Sequence, residues 1–158
     1  MKRSVFLLSL LLVIAACSSS GPSPSASSTP GAGAVSIEII PNPIVAHAVT
    51  GTNQYEFPFE VVVRETGGHP ISVTRVSADL FALGGLKVGS ESWDADRIRS
   101  MGYGVDVPAR GELRYRFNPR REVPDERLFG GVRAELRVDA RDASGATTSA
   151  STVVTVTR

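Results

Sequence analysis

The chain has 158 residues, 17 of them basic and 16 acidic, for a formal net charge of +1. So even a balance excludes a general nucleic-acid binder, which carries a clustered basic excess. The single cysteine excludes an intramolecular disulfide framework, so any exported fold must rest on its apolar core.

Lys2 and Arg3 open the chain with positive charge, and Val5 to Ala16 follow as an apolar run of about a dozen residues. A spanning helix needs ~20 apolar residues, so this run reads as the hydrophobic part of a signal peptide rather than a retained anchor. It ends in small residues, Ala15 and Ala16, directly before Cys17. MKRSVFLLSLLLVIAAC resembles the signal peptide of a bacterial lipoprotein, with Ile14, Ala15, Ala16 and Cys17 standing at the lipobox. The resemblance implies removal of residues 1–16, a diacylglycerol on the Cys17 thiol and acylation of the new amino group. It also implies a place in the cell envelope. Ser18, where an aspartate would signal inner-membrane retention, favours the outer membrane of a diderm; otherwise the outer face of the cell membrane is expected. An ordinary secretory signal cut beside Ala16 is the alternative, and it would leave an unpaired cysteine at the new N-terminus.

Residues 18–34 are almost wholly Ser, Gly, Pro, Ala and Thr. They have no apolar face to bury and are expected to be a disordered tether. A flexible chain of that length reaches roughly 20–25 Å. Removal of Lys2 and Arg3 leaves one more acidic than basic residue. Residues 35–158 suit one domain and are too few for two.

Six or seven runs in this part alternate apolar and polar residues, separated by Gly, Pro, Asn and Asp, which predicts an all-β sandwich of about seven strands. Val35 to Ile40 is a strand stopped by Pro41-Asn42-Pro43, and Ile44 to Val49 resumes it. From Tyr55 to Arg64, Tyr55, Phe57, Phe59, Val61 and Val63 fall on one face, and Glu56, Glu60 and Arg64 on the other. Pro58 belongs at a sheet edge or bulge. In Ile71 to Phe81 the apolar parity shifts between Val73 and Val76, which predicts a bulge near Thr74 and Arg75. Ser90 to Met101 is the one stretch with helical content, and Trp93 is expected there on a loop or short helix. Leu113, Tyr115 and Phe117 form another inward face, and Ala134, Leu136, Val138 and Ala140 the next. Asp142 to Gly145 links tightly into the last strand, where Val154 and Val156 point inward.

LRVDARDASGATTSASTVVTVT resembles the F–G hairpin of immunoglobulin-like and fibronectin type III-like bacterial domains, and FEVVVRETGGHPISVTRVSADL resembles their B–C pair. The resemblance implies a single immunoglobulin-like antiparallel sandwich over 35–158.

Several groups could carry chemistry, and each has a simpler reading. His47 and His69 lie in different segments, short of the three or four ligands a metal needs. Asp139, Asp142 and Ser144-Gly145 have the look of a calcium loop, but Asp142 more simply bonds turn amides. Asp94 and Asp96 fit helix capping. Glu56 and Glu60 could mimic a glycosidase pair, yet charges on the wet face of a strand are ordinary. The chain has no nucleophile elbow and no phosphate-cradling glycine loop. The densest cationic group is Arg114, Arg116, Arg120 and Arg121, which could contact an anionic partner or pair with acids across strands. The expectation is therefore a membrane-anchored, non-catalytic binding or structural module without cofactor or metal, meeting the membrane through its lipid and possessing an envelope protein or glycan as partner. The alternatives are an accessory subunit of an envelope export or transport complex, and a carbohydrate-binding sandwich using Trp93, Tyr103 and Tyr55.

Overall fold

Strict alternation gives sheets with one buried and one wet face, and the computed structural model, which describes residues 25–27, 33–123 and 126–158, is built from them. Its strands are β1 (Ser25–Ser27), β2 (Val35–Ile40), β3 (Ile44–Val45), β4 (His47–Ala48), β5 (Gln54–Glu56), β6 (Phe59–Glu65), β7 (Ile71–Phe81), β8 (Lys87–Asp94), β9 (Asp106–Val107), β10 (Glu112–Phe117), β11 (Arg120–Glu122), β12 (Arg133–Asp142) and β13 (Thr147–Thr157). One α-helix, α1 (Ala95–Ser100), follows β8.

One sheet has the order β10-β6-β2 and is antiparallel throughout. The short strands β11, β5 and β4 pair beyond it, where the chain runs from β5 into β6 and from β10 into β11. The other sheet runs β13-β12-β7-β8, with β9 on the start of β7 and with β1 and β3 on the outer edge of β13. β6 and β7 lie in opposite sheets, β12 and β13 form a hairpin in one, and β3 leaves the sheet of β2 to run parallel to β13. The fold is an immunoglobulin-like antiparallel β-sandwich.

Local expectations from residue type are met in detail. Pro58 sits in the break between β5 and β6, where the ladder needs no N–H. β12 pairs Asp139 with Arg75 and Ala140 with Val73, so Thr74 is the extra residue of a bulge. Its hydroxyl donates to the Asp139 carbonyl at 3.0 Å. Ile71 and Val73 before the bulge and Val76 and Ala78 after it are all buried. Asp94 caps α1, its carboxylate accepting from the Arg97 amide at 2.8 Å.

Two expectations are corrected. Trp93 is on neither a loop nor a helix: it lies in β8, level with Val76 of β7. It is buried, stacks on Phe117 with ring centroids 4.1 Å apart, and meets Phe59 edge-on at 6.2 Å. Helix begins only at Ala95, and Ile98 is the residue that α1 buries. The second correction concerns the tether, which is not structureless up to Ala34. Ser25–Ser27 pairs with Ser149–Ser151, a ladder that uses main-chain groups and needs no apolar side chain. Gly33 and Ala34 are also bonded into the sandwich, Gly33 through its amide to Asp142 and Ala34 through its amide to Glu65. A Cβ on Gly33 would stand 2.3 Å from the Ile71 side chain, so only glycine fits this approach.

Candidate functional site

Cys17 lies outside the described residues. The arginine group lies within them, and register fixes its surroundings. On the outward face of the β10-β6-β2 sheet, Glu60 stands between Arg116 and Ile40, Val62 between Arg114 and Glu38, and Arg64 between Glu112 and Ser36. The charges in this grid interlock. Arg114 donates to Glu60 at 2.8 Å and to Glu112 at 2.6 Å, Arg116 to Glu60 at 2.9 Å, and Arg64 to Glu112 and Glu38 at 2.7 Å each. Hydrogen bonds from Arg116 and then Arg114 hold the Glu60 carboxyl below its ordinary range, and Arg114 followed by Arg64 does the same to Glu112. Val62, at the centre of the grid, is fully buried although it points away from the sandwich core. The aliphatic stems of the surrounding long side chains provide that cover.

Arg120 pairs with Glu56 across β11 and β5 at 2.8 Å. Arg121, one residue on, points to the other side and bonds the Ser90 carbonyl at 3.1 Å and the Glu91 carboxylate of β8. The four arginines are therefore not one surface, and each already holds a carboxylate. An anionic partner would compete with Glu56, Glu60, Glu91 and Glu112 or use the guanidinium N–H groups they leave exposed, as on Arg116, whose side chain is 80% exposed. The same contacts occupy Glu56 and Glu60, the pair with a glycosidase-like look.

The most perturbed carboxyl is one that residue type alone did not single out. Glu65, at the end of β6, is 3% exposed. Its Oε1 accepts from the amides of Ala34 at 3.1 Å and Gly67 at 2.6 Å, and its Oε2 from those of Gly68 at 2.9 Å and Arg110 at 2.8 Å. Burial alone would raise its pKa, but the four amide donors outweigh it and hold the carboxyl at about 2. Glu65 thereby joins the start of β2, the Gly67-Gly68 turn and the turn at Pro108–Gly111, where Arg110 has a φ of 56°. This is a structural anchor, with no acceptor lone pair directed at a substrate.

The remaining candidates resolve similarly. Asp142 accepts from the amides of Ser144 at 2.9 Å and Ala146 at 3.0 Å and from the Ser144 hydroxyl at 2.6 Å, so it organises its turn. Asp139 pairs with Arg137 at 2.8 Å, and Asp96 with Arg99 at 2.9 Å. His47 and His69 are exposed on separate segments. Among the described residues no group of three or more His, Cys, Asp or Glu could hold a metal. The stacking platform offered for a sugar is not formed, because Tyr55 and Trp93 are buried. Tyr103 is half-buried and spends its ring on Tyr115 at 5.7 Å. Tyr115 itself is fully buried, and its hydroxyl has no hydrogen-bond partner among the described residues. Burial, with a lesser contribution from Asp106, raises its pKa far above the ordinary phenol range.

No family profile matches the chain, and no curated protein matches its sequence. Solved structures do resemble it. A structural genomics target, SoR45, is 8% identical with a TM-score of 0.50, covering 80% of this chain and 84% of its own. The C-terminal domain of wzt is 14% identical with a TM-score of 0.46, covering 87% of this chain and 80% of its own. The CARDB domain of a Pyrococcus furiosus protein, solved in complex with di-metal ions, is 15% identical with a TM-score of 0.36, covering 82% of this chain and 93% of its own. At such identities the first likeness speaks to fold alone, and the two looser ones bear on nothing further.

Proposed function

We propose that this chain is a lipid-anchored envelope protein whose β-sandwich is a non-catalytic binding or structural module, held outside the membrane through Cys17. The observation that carries the non-catalytic part is the state of its charged groups. Glu65 is spent on four backbone amides, Glu56, Glu60, Glu91 and Glu112 on arginines, and Asp142 on its own turn. A general acid or base needs a lone pair or proton directed at a substrate, and these carboxylates direct theirs at the protein. The anchor is supported by the sequence of residues 1–18, and an outer-membrane site by Ser18 where the envelope has an outer membrane.

The test is mass spectrometry of the N-terminal peptide from membrane-recovered protein, alongside a Cys17→Ser variant. Acyl groups on Cys17, and failure of Cys17→Ser to be processed, are expected. An unmodified Cys17 on membrane-recovered protein would overturn the anchor. Affinity capture with the acylated protein then reads out whether the module holds an envelope protein or glycan.

A further inference from the structure

The described chain enters the sandwich from a definite end. β1 is antiparallel to β13, with Ser25 opposite Ser151 and Ser27 opposite Ser149. Followed backwards from Ser25, its direction is therefore toward the Thr155 end of β13. Thr155 is level with Arg133, Arg133 with Phe81, and Phe81 with Lys87. The Ala82–Leu86 loop between β7 and β8 consequently stands at the end toward which the N-terminal chain points.

That end carries the three most exposed large apolar side chains among the described residues. Leu83 is 81% exposed, Leu86 69% and Val88 57%. Gly84 and Gly85, with φ of 83° and 81°, form the tip that holds the two leucines out. Beside them opens an apolar groove of about 320 Å³, lined by Phe57, Leu80, Val88, Val123, Phe129 and Val132. Exposed apolar surface gathered at one end of a domain marks a contact site.

The remaining length of chain says what it contacts. Only residues 18–24 separate Cys17 from β1, a span of at most about 25 Å when extended. From Ser25 to the level of Thr155 is already roughly 13 Å along the strand direction. Ser25 lies about equally far from both ends of β13, so it is the direction of β1, and not the length of the tether, that sets a lipid on Cys17 on the side of this end.

We propose that this end of the sandwich docks on the bilayer that anchors Cys17, with Leu83 and Leu86 entering the boundary between headgroups and acyl chains. The proposal rests on the lipid-anchor reading above. Two leucines are too few to hold a free protein on a membrane, but the short tether supplies a high effective concentration.

Cys17 is the only cysteine in the sequence, so in the lipidated protein an introduced cysteine is the sole free thiol. Leu86→Cys and Ala143→Cys, the latter in the turn at the far end, are each labelled with an environment-sensitive fluorophore. The lipidated full chains are reconstituted in phosphatidylethanolamine–phosphatidylglycerol vesicles carrying nitroxide-labelled acyl chains. The probe at 86 is expected to shift to the blue and lose about half its emission, while the probe at 143 stays unchanged. Adding Leu83→Ser should restore much of the emission at 86. Acylated protein that floats with the vesicles while both probes stay equally wet would overturn the docking face alone. A blue shift at 86 without nitroxide quenching would mean that a second copy covers the leucines, and would also overturn it. Absence of acyl groups on Cys17 in the same preparation would overturn the anchor, and with it the reason for a bilayer at this end.

Discussion

Replacing Glu65 by Gln removes one charge and one acceptor from a carboxylate that serves four amides. Oε1 takes the amides of Ala34 and Gly67, and Oε2 those of Gly68 and Arg110. Whichever way the amide of Gln is turned, its NH₂ faces two N–H donors, and two hydrogen bonds become donor–donor contacts. The pKa gives the magnitude: moving a buried carboxyl from its ordinary 4.5 to about 2 corresponds to about 3 kcal/mol of folding stability. The folded value is depressed, so this contribution is complete above about pH 4.5 and is lost as pH falls through about 2. Urea unfolding followed by the fluorescence of Trp93, the sole tryptophan, measures it. Near neutral pH, Glu65→Gln should be less stable by about 3 kcal/mol. Toward pH 2 the two proteins should converge, because a protonated Glu65 also presents one donor and one good acceptor. Other carboxylates titrate in both proteins and cancel in the difference. A gap that is equally wide in acid and at neutral pH, or a variant within about 0.5 kcal/mol of wild type throughout, would refute the role given to Glu65.

The same unfolding assay checks four further substitutions. Tyr115→Phe deletes a buried hydroxyl that has no partner among the described residues and should be neutral or stabilising by up to about 1–2 kcal/mol; a clear loss would mean that the hydroxyl is bonded. Phe59→Ala should cost ~3–5 kcal/mol, since its ring packs on Trp93 and Phe117. Its neighbour Glu60→Ala, which breaks only surface ion pairs, should cost no more than about 1 kcal/mol, and equal losses would invert the face assignment. Val62→Ala should cost about 1.6 kcal/mol, the value of two buried methylenes, although Val62 is on the outer face; a neutral result would show that the arginine–glutamate grid does not exclude water.

Much of the fold was legible in the residues because its signals are local. A shift of parity between Val73 and Val76 marks a bulge wherever it occurs in a half-buried strand, and Asp142-Ala143-Ser144-Gly145 carries its own turn chemistry. Trp93 was not legible, because β8 buries only that residue and so has no alternation to read. Val62 shares the parity of Glu60 and Arg64 and so falls on the outer face, which gives no sign of its burial. Its burial depends on Glu38 and Arg114, which are brought beside it only by strand pairing. Glu65 left a usable trace: parity from Phe59, Val61 and Val63 puts it on the inward face, directly before Thr66-Gly67-Gly68. A carboxylate at an inward position, followed by a glycine turn whose amides are free to converge, is the pattern of a buried anion held by main-chain donors. The arginine group was legible as charge but not as geometry, since whether Arg114 meets a partner or Glu60 is decided by register between strands distant in sequence.

The N-terminal chain shows why composition is a weaker guide to pairing than to packing. β13 is an eleven-residue strand at the edge of its sheet, and a bare edge of that length is a template for association with another chain. β3 covers it at Val156 and Thr157, and β1 covers it at Ser149 to Ser151. The covering segments flank β2 in sequence, one before it and one after. Ser25-Ala26-Ser27 contributes nothing that a hydrophobic pattern would register, yet edge protection asks only for main-chain donors and acceptors in extended form. A protein that carries no cysteine pair gains from closing that edge, and on the proposed anchor it does so with chain that also serves as the tether. The cost is reach. On the proposed lipid anchor, the length available between Cys17 and the sandwich shrinks from the whole of residues 18–34 to residues 18–24, and the direction of β1 turns the leucine-tipped end of the fold toward the bilayer proposed to hold Cys17.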